Sequence, residues 1–187
     1  MLYLLGGAPR SGKSRIAAKF TTDTGISSFG LDYLVMGLAR GIPEYGVDPF
    51  AEDKITASKL WPVVQGITSA IIENKQNYLL EGACLWPEYV AELCTRFDGQ
   101  FRACFIGFAE VDSGDKLREI RRFGGGPDDW LKDHSDEMAL RHISRLKELS
   151  CDLKNACDTY NIKYIDNSVD DPSTVQDVVR YLVEGTQ

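Results

Sequence analysis

The stretch Gly7-Ala8-Pro9-Arg10-Ser11-Gly12-Lys13-Ser14 matches the pattern G-x-x-x-x-G-K-[ST]. An apolar run at residues 2–5 precedes it, and residues 13–20 have the pattern of a helix. This order of strand, glycine-rich loop and helix is typical of a phosphate-binding loop, because glycines let the backbone wrap closely around an anion. Successive backbone N–H groups then form a nest for phosphate, and the dipole of the following helix adds positive potential.

Two side chains of this loop have expected roles toward a nucleotide. The Lys13 ammonium should reach the β and γ phosphates, and the Ser14 hydroxyl should ligate Mg²⁺. A GTPase would also need the guanine-selecting pattern N-K-x-D, but the nearest match, residues 74–77, reads N-K-Q-N and lacks the Asp. The loop therefore predicts binding of a nucleoside triphosphate with Mg²⁺, without choosing between ATP and GTP and without specifying the reaction.

The amino-acid composition argues against several classes of protein. The chain has 187 residues, which fits one domain spanning 1–187, and 43% of them are hydrophobic, as in ordinary globular proteins. Its formal net charge of −7 argues against sequence-independent nucleic-acid binding, which needs a basic surface. Five cysteines without a C-x-x-C pair indicate reduced thiols, and no apolar run has the length of a membrane span. We therefore expect a cytoplasmic protein with neither nucleic-acid nor membrane partners.

The hydrophobic pattern alternates strand and helix along the chain. Short apolar runs predict strands at 2–5, 26–31, 78–80, 101–108 and 162–165, and periodic segments predict helices at 13–20, 61–72, 135–160 and 174–183. Pro62 is placed in the first turn of the second of these helices, where proline is tolerated. Strands this apolar predict an α/β fold with a parallel sheet covered on both faces and a site at the carboxyl ends of its strands. Segments 41–53 and 123–133 predict long loops.

The opening segment, residues 4–14, resembles the small P-loop kinases of the adenylate kinase and chloramphenicol phosphotransferase type. The resemblance implies a three-layer sandwich with a five-stranded parallel sheet, and a helical lid, at about 114–134, that closes over ATP. It implies ATP and Mg²⁺ as cofactors. The residues that it assigns to nucleotide binding in and beside the loop are Gly7, Ala8, Pro9, Arg10, Ser11, Gly12, Lys13, Ser14 and Arg15.

Asp32 follows the predicted second strand, whose end should lie beside the phosphate loop. A kinase that phosphorylates a hydroxyl needs a carboxylate near the γ-phosphate to orient or deprotonate that hydroxyl. The segment around Asp32 resembles the one that carries the base in chloramphenicol phosphotransferase-like kinases. Asp32 is alternatively a cap of the helix that follows it. Arg40 is a candidate for binding the phosphate of a phosphorylated acceptor, so that alternative stays open.

Glu81 ends the predicted third strand. Many relatives in the resembled family carry Asp here and hold Mg²⁺ through water, so the longer Glu81 is a candidate for metal binding or for contact with the acceptor. A carboxylate at the end of a buried strand is costly without such a role. Trp86, shortly after it, is a candidate wall of the acceptor pocket or an ordinary core residue, and the pocket itself is expected from segments 41–53 and 84–89.

A basic cluster follows the fourth predicted strand. It comprises Arg118, Arg121 and Arg122, with Lys116 nearby, and residues 118 and 122 share one helix face. Guanidinium groups suit phosphate oxygens and the charge that develops during transfer, so the resemblance makes these arginines lid residues that contact ATP. The alternative is a solvated helix face paired with neighbouring acids such as Asp115 and Glu119.

These residues predict a phosphotransferase that moves the γ-phosphate of Mg-ATP to a small-molecule acceptor, most directly a hydroxyl compound. The expected catalytic residues are Lys13, Asp32, Arg118 and Arg122, and the expected metal-linked residues are Ser14 and Glu81. A nucleoside monophosphate kinase of adenylate kinase type is the alternative within the class. A nucleotide-binding switch protein with slow hydrolysis is the alternative from another class.

Overall fold

The computed structural model describes residues 1–123, 131, 134–169 and 171–185. Its sheet is parallel throughout, with the strand order β2-β3-β1-β4-β5. The strands are β1 (Leu2–Gly7), β2 (Ser28–Gly30), β3 (Tyr78–Gly82), β4 (Phe101–Gly107) and β5 (Lys163–Asp166). The helices are α1 (Lys13–Thr24), α2 (Leu31–Gly41), α3 (Asp53–Glu73), α4 (Pro87–Arg96), α5 (Ser113–Phe123), α6 (Asp136–Thr159) and α7 (Pro172–Glu184), with a 3₁₀ turn at Pro43–Tyr45.

The sheet separates two hydrophobic cores. Alternate residues of β1 enter opposite cores: Leu2 and Leu4 face the larger one, and Tyr3 and Leu5 face the smaller one. Helices α1 and α7 close the smaller core, whereas α2, α3, α4 and α6 supply the larger one. The predicted α/β sandwich, with a five-stranded parallel sheet covered on both faces, is confirmed.

Helix α3 differs most from the prediction. It begins at Asp53, eight residues before the predicted start, so Pro62 lies inside the helix rather than in its first turn. Proline in a helix interior removes one backbone hydrogen bond, yet Leu60, Trp61 and Val64 around it are buried in the larger core. Tertiary packing therefore keeps α3 continuous across Pro62. The predicted loop at 41–53 ends where α3 starts.

Helix α6 agrees closely with its prediction. Ser135 is the N-cap, and its hydroxyl accepts a hydrogen bond from the Met138 backbone N–H at 3.4 Å. Most of the predicted loop at 123–133, and with it part of the predicted lid, lies outside the described residues. Within the part that is described, no helix is both long enough and apolar enough to span a membrane.

Candidate functional site

The phosphate loop connects β1 to α1 at the carboxyl edge of the sheet. Gly7 has a φ of 141°, and a Cβ at this position would lie 2.0 Å from the backbone oxygen of Ile106. Gly12 has a φ of 98° and forms the N-cap of α1. The two glycines therefore have different roles. Gly7 lets the loop lie against β4, and Gly12 turns the chain into the helix.

Lys13 is folded back onto the loop. Its ammonium donates hydrogen bonds to the backbone oxygens of Gly7 at 3.1 Å and Ala8 at 2.8 Å, and the residue is 7% exposed. Burial lowers the pKa of Lys13, and the nearby carboxylates of Glu81 and Asp32 oppose that shift. A phosphate entering the loop can replace the two carbonyl oxygens as the partner of this cation.

Ser14 and Glu81 meet across the phosphate loop. The Ser14 hydroxyl donates to the Glu81 carboxylate, with Oγ and Oε1 3.2 Å apart. Strand pairing brings them together, since β3 runs beside β1 and the end of β3 reaches the loop. Burial raises the pKa of Glu81, and the Lys13 cation opposes this increase.

The spacing of these two oxygens fits Mg²⁺. Neighbouring ligands in an octahedron with bonds of about 2.0–2.1 Å lie about 3 Å apart, close to the 3.2 Å between Ser14 Oγ and Glu81 Oε1. Among the described residues, no group of three His, Cys, Asp or Glu side chains is placed to hold a metal. Mg²⁺ is usually bound by one or two protein groups together with waters and substrate phosphates, and Ser14 and Glu81 are two candidate groups.

A cavity of about 590 Å³ opens over the loop, and we call it the phosphate cavity. The loop forms one side of it, with Arg10, Lys13 and Arg15. The helices α2 and α3 add the carboxylates Asp32 and Asp53, and the rest of the wall includes Val35, Met36, Pro49, Glu81 and Ala83. Asp32 is exposed in the first turn of α2, since the helix starts at Leu31 and its N-cap is Gly30.

Asp53 ends the segment 41–53 from which the acceptor pocket was expected, but the sequence analysis did not single it out as a site residue. It is the first residue of α3 and half-buried. Burial raises its pKa, the cations of Lys13 and Arg145 lower it, and the Asp32 carboxylate raises it further. An acidic residue at the start of a helix was the available signal, but the predicted helix started eight residues too late to show it.

The turn after β5 is hydrogen-bonded to the backbone of the phosphate loop. The Asn167 side chain is 3% exposed and donates from Nδ2 to the backbone oxygen of Ser11 at 3.1 Å. Its backbone N–H donates to the Gly107 oxygen at 2.7 Å, which ties the turn to β4. Asp166 closes the turn by accepting from the backbone N–H groups of Ala109 and Ser168. Asn167 therefore positions the loop backbone.

The predicted lid arginines lie elsewhere in this structure. Of the described residues that line the phosphate cavity, none comes from α5. Arg118 forms an exposed ion pair with Asp115. Arg121 donates to the backbone oxygens of Leu131 and His134, each at 2.7 Å, and pairs with Asp136 at 2.9 Å. Arg122 is exposed on the same helix. Their contact with ATP stays a prediction.

A larger cavity, of about 670 Å³, lies between β5 and α7. Its lining includes Lys163, at the amino end of β5, and Tyr181. Parallel α/β sheets bind their ligands at the carboxyl ends of the strands, where the phosphate cavity lies, so we assign the site to the phosphate cavity despite its smaller volume.

Comparison with solved structures identifies the fold of the chain. No protein-family model matches the sequence, and no curated protein matches it. Among solved structures, a shikimate kinase from Bacteroides thetaiotaomicron superposes with a TM-score of 0.57 at 16% identity, covering 98% of this chain and 97% of that one. A shikimate kinase from Aquifex aeolicus gives 0.55 at 16% identity over 100% of both chains. A gluconokinase from Sinorhizobium meliloti gives 0.52 at 14% identity, with coverages of 98% and 89%. The chain has the P-loop kinase fold.

Proposed function

We propose that this chain is an ATP-dependent phosphotransferase that moves the γ-phosphoryl group of Mg-ATP to a hydroxyl group of a small-molecule acceptor. The observation that carries the proposal is that one cavity is lined by two kinds of groups. The loop and the start of α1 supply the cations Arg10, Lys13 and Arg15, and α2 and α3 supply the carboxylates Asp32 and Asp53. The cations suit a triphosphate, and a carboxylate suits a hydroxyl group that must lose a proton.

The loop side binds and orients the nucleotide. The backbone N–H groups of the loop and the start of α1 hold the phosphates, and Lys13 exchanges its bonds to the Gly7 and Ala8 oxygens for the β and γ phosphates. Ser14 and Glu81 would hold Mg²⁺, which neutralises charge on the β and γ oxygens when bound. Glu81 would bind the metal as the ionised carboxylate, so bound Mg²⁺ would oppose the raised pKa of this group.

The carboxylate side acts on the acceptor. Asp32 accepts a hydrogen bond from the acceptor hydroxyl and takes its proton as the oxygen attacks the γ-phosphorus. The new O–P bond forms on the acceptor, the bond to the β–γ bridging oxygen breaks, and ADP leaves with that electron pair. Lys13 faces the developing negative charge from the loop side.

The two alternatives fit the cavity less well. A nucleoside monophosphate acceptor needs cations on the acceptor side, yet the cations lining the described cavity wall, Arg10, Lys13 and Arg15, all belong to the phosphate loop or the first turn of α1. A switch protein with slow hydrolysis does not require a general base for an acceptor, whereas Asp32 and Asp53 line the same cavity as the loop. Both alternatives remain separable by experiment.

The test is ADP release from Mg-ATP with two panels of acceptors. One panel contains hydroxyl compounds such as nucleosides, sugars and polyols, and the other contains nucleoside monophosphates. We expect stimulation by a member of the first panel only. Stimulation by a monophosphate alone would replace the proposal with the monophosphate kinase, and tight ATP binding without stimulation by either panel would favour the switch protein.

A further inference from the structure

The phosphate loop contains a residue with a strained backbone, Arg10. The Ser11 backbone N–H donates to the Ala8 oxygen at 3.3 Å and closes a four-residue turn. Pro9 and Arg10 are the two central residues of this turn, and Arg10 has a φ of 62°. Glycine is the usual residue where the second central position of a turn needs a positive φ, because a side chain there has a steric cost. The loop would therefore form more easily with glycine at position 10.

The other two described non-glycine residues with a positive φ lie where this conformation is ordinary. Lys75 and Asn161 have φ values of 54° and 53°. Each follows the C-cap of a helix, Asn74 of α3 and Tyr160 of α6, and a left-handed residue commonly ends a helix there. Arg10 instead lies inside the phosphate loop, so no helix end explains its conformation. The reason for an arginine at this position must then lie in its side chain.

The Arg10 side chain extends from the loop toward α6. The residue is half-buried and lines the phosphate cavity, which Asp32 and Asp53 also line. Burial lowers the pKa of His142, a residue of α6, and the cations of Arg10 and Arg145 lower it further. The Arg10 cation is therefore close to α6, at the edge of the cavity that receives both the phosphates and the acceptor in the proposed reaction.

A guanidinium at this place suits the phosphoryl group that moves. In the proposed reaction the γ-phosphoryl group passes from the loop to an acceptor at Asp32, inside the cavity that Arg10 lines. Negative charge spreads over the three outer oxygens of this group during transfer, and a guanidinium can donate two N–H bonds to them at once. Lys13 offers a point charge from within the loop, so the two cations can hold different oxygens of the same group.

We infer that Arg10 is a catalytic residue whose guanidinium contacts the γ-phosphoryl group and stabilises the charge that develops on it during transfer. The inference rests on the proposed function. The acceptor oxygen forms its bond to the γ-phosphorus, Asp32 takes the hydroxyl proton, the bond to the β–γ bridging oxygen breaks, and ADP leaves with that electron pair. Arg10 stays protonated throughout and donates its strongest hydrogen bonds in the transition state. This role accounts for a strained arginine in the middle of the loop.

Replacing Arg10 by glycine separates catalysis from stability. The full chain is assayed for ADP release from Mg-ATP with the hydroxyl compound that stimulates the wild type most. Arg10→Gly should lower kcat about 100-fold or more, while the affinity for Mg-ADP, which lacks the γ-phosphate, changes by less than about five-fold. The Tm of Arg10→Gly should equal or exceed that of the wild type, because glycine adopts a positive φ without the steric cost.

Two more variants make the result specific. Lys75→Gly is the matched control, since it also replaces a cationic residue of positive φ by glycine, in the exposed turn between α3 and β3. It should leave kcat and Mg-ADP affinity unchanged, and its Tm should also equal or exceed that of the wild type. Arg10→Lys keeps the charge but loses the planar fork, so its kcat should stay at least about ten-fold below the wild type.

Four results would overturn the inference. A kcat of Arg10→Gly within about ten-fold of the wild type would place the stabilising charge elsewhere. A loss of Mg-ADP affinity as large as the loss of kcat would make Arg10 a binding residue only. A Tm below the wild type in Arg10→Gly, but not in Lys75→Gly, would show that the arginine serves folding. Wild-type kcat in Arg10→Lys would exclude the two-bond contact. A wild type that binds Mg-ATP but is stimulated by no hydroxyl compound would instead refute the proposed function.

Discussion

Replacing Asp32 by asparagine separates catalysis from folding and nucleotide binding. Asp32 is exposed in the first turn of α2, lines the phosphate cavity and is close enough to Lys13 to influence its pKa. Asparagine keeps the shape of the side chain but does not accept a proton. Loss of a general base typically lowers the rate 10²–10⁴-fold, which corresponds to about 3–5 kcal/mol in the activation barrier.

The effect on stability should be much smaller than the effect on rate. An exposed carboxylate in the first turn of a helix contributes about 0.3–1 kcal/mol through the helix dipole, and this is the main term that Asp32→Asn removes. Nucleotide affinity should stay within a few-fold of the wild type, and any change should favour binding, because one negative charge near the phosphates is lost.

The assay is single-turnover transfer from Mg-ATP to the best acceptor of the hydroxyl panel, together with Mg-ADP titration and thermal unfolding. Asp177→Asn is the control, since Asp177 is an exposed acid on α7 that pairs with Arg180 away from the phosphate cavity. Activity above about a tenth of wild type in Asp32→Asn would refute the assignment of the base. If Asp53→Asn then lost activity, the base would be Asp53.

Four further predictions concern the phosphate loop, the end of β3 and the helices around the sheet. Gly7→Ala should abolish folding or destabilise the protein by several kcal/mol, because its Cβ would lie 2.0 Å from a backbone oxygen; circular dichroism and chemical denaturation measure this, and near-native stability would contradict it. Gly66→Ala should stabilise the protein by about 1 kcal/mol in the same denaturation experiment, since Gly66 lies inside α3 with nothing within 4 Å of the added methyl group. Burial raises the pKa of Glu81, so the folded protein holds the carboxyl proton of Glu81 more tightly than the unfolded chain does. The wild type therefore loses stability relative to Glu81→Gln as the pH rises from the ordinary glutamate pKa to the raised one. The Tm advantage of Glu81→Gln should therefore grow across that window, and an advantage independent of pH would count against the shift. Exposed Cys94 should react with a thiol reagent at pH 8 before Cys84, because burial raises the pKa of Cys84 to about 12 and leaves about one thiolate in 10⁴; mass spectrometry of labelled peptides decides, and equal labelling would refute the burial of Cys84.

The sheet could be predicted because its physical signal is local. Each central strand must be apolar on both faces to lie between two layers of helices, and β1 shows this in four consecutive residues, Leu2 to Leu5, that alternate between the two cores. The phosphate loop could be predicted for a related reason. Its glycines recur at a fixed spacing because the backbone there needs a positive φ or a close approach to another strand. In the structure these positions are Gly7 and Gly12.

The acceptor side could be predicted only in part. Asp32 follows a strand, so its place at the carboxyl edge could be inferred from strand order. Asp53 belongs to a helix whose start is hidden by Pro62, and the burial of Leu60, Trp61 and Val64 that holds this helix is a tertiary effect. A smaller cavity is lined by residues of α3, of the segment after β3 and of α6, and no local pattern in the sequence brings these together.

The basic cluster on α5 shows how local charges compete for the same guanidinium groups. Arg118 has Asp115 one turn away, and Arg121 has backbone oxygens and Asp136 within hydrogen-bond distance. An exposed pair such as Arg118–Asp115 is worth little, so it opposes a move of Arg118 toward ATP only weakly. Arg121 would have to give up several bonds at once. Of the two, Arg118 would leave its present partner at the lower cost.

For the proposed phosphotransferase, the charges that line the phosphate cavity predict the order in which the two substrates bind. Three cations, Arg10, Lys13 and Arg15, and three carboxylates, Asp32, Asp53 and Glu81, line it, so the protein side is formally neutral. Mg-ATP carries about two negative charges, so it makes the filled cavity negative by about two charges. A cationic acceptor is consequently held more tightly after Mg-ATP than before it, whereas an anionic one is held less tightly. Ordered addition, with Mg-ATP first, follows from this arrangement, and product-inhibition kinetics with an amine acceptor would refute it if the acceptor bound equally well to the free protein.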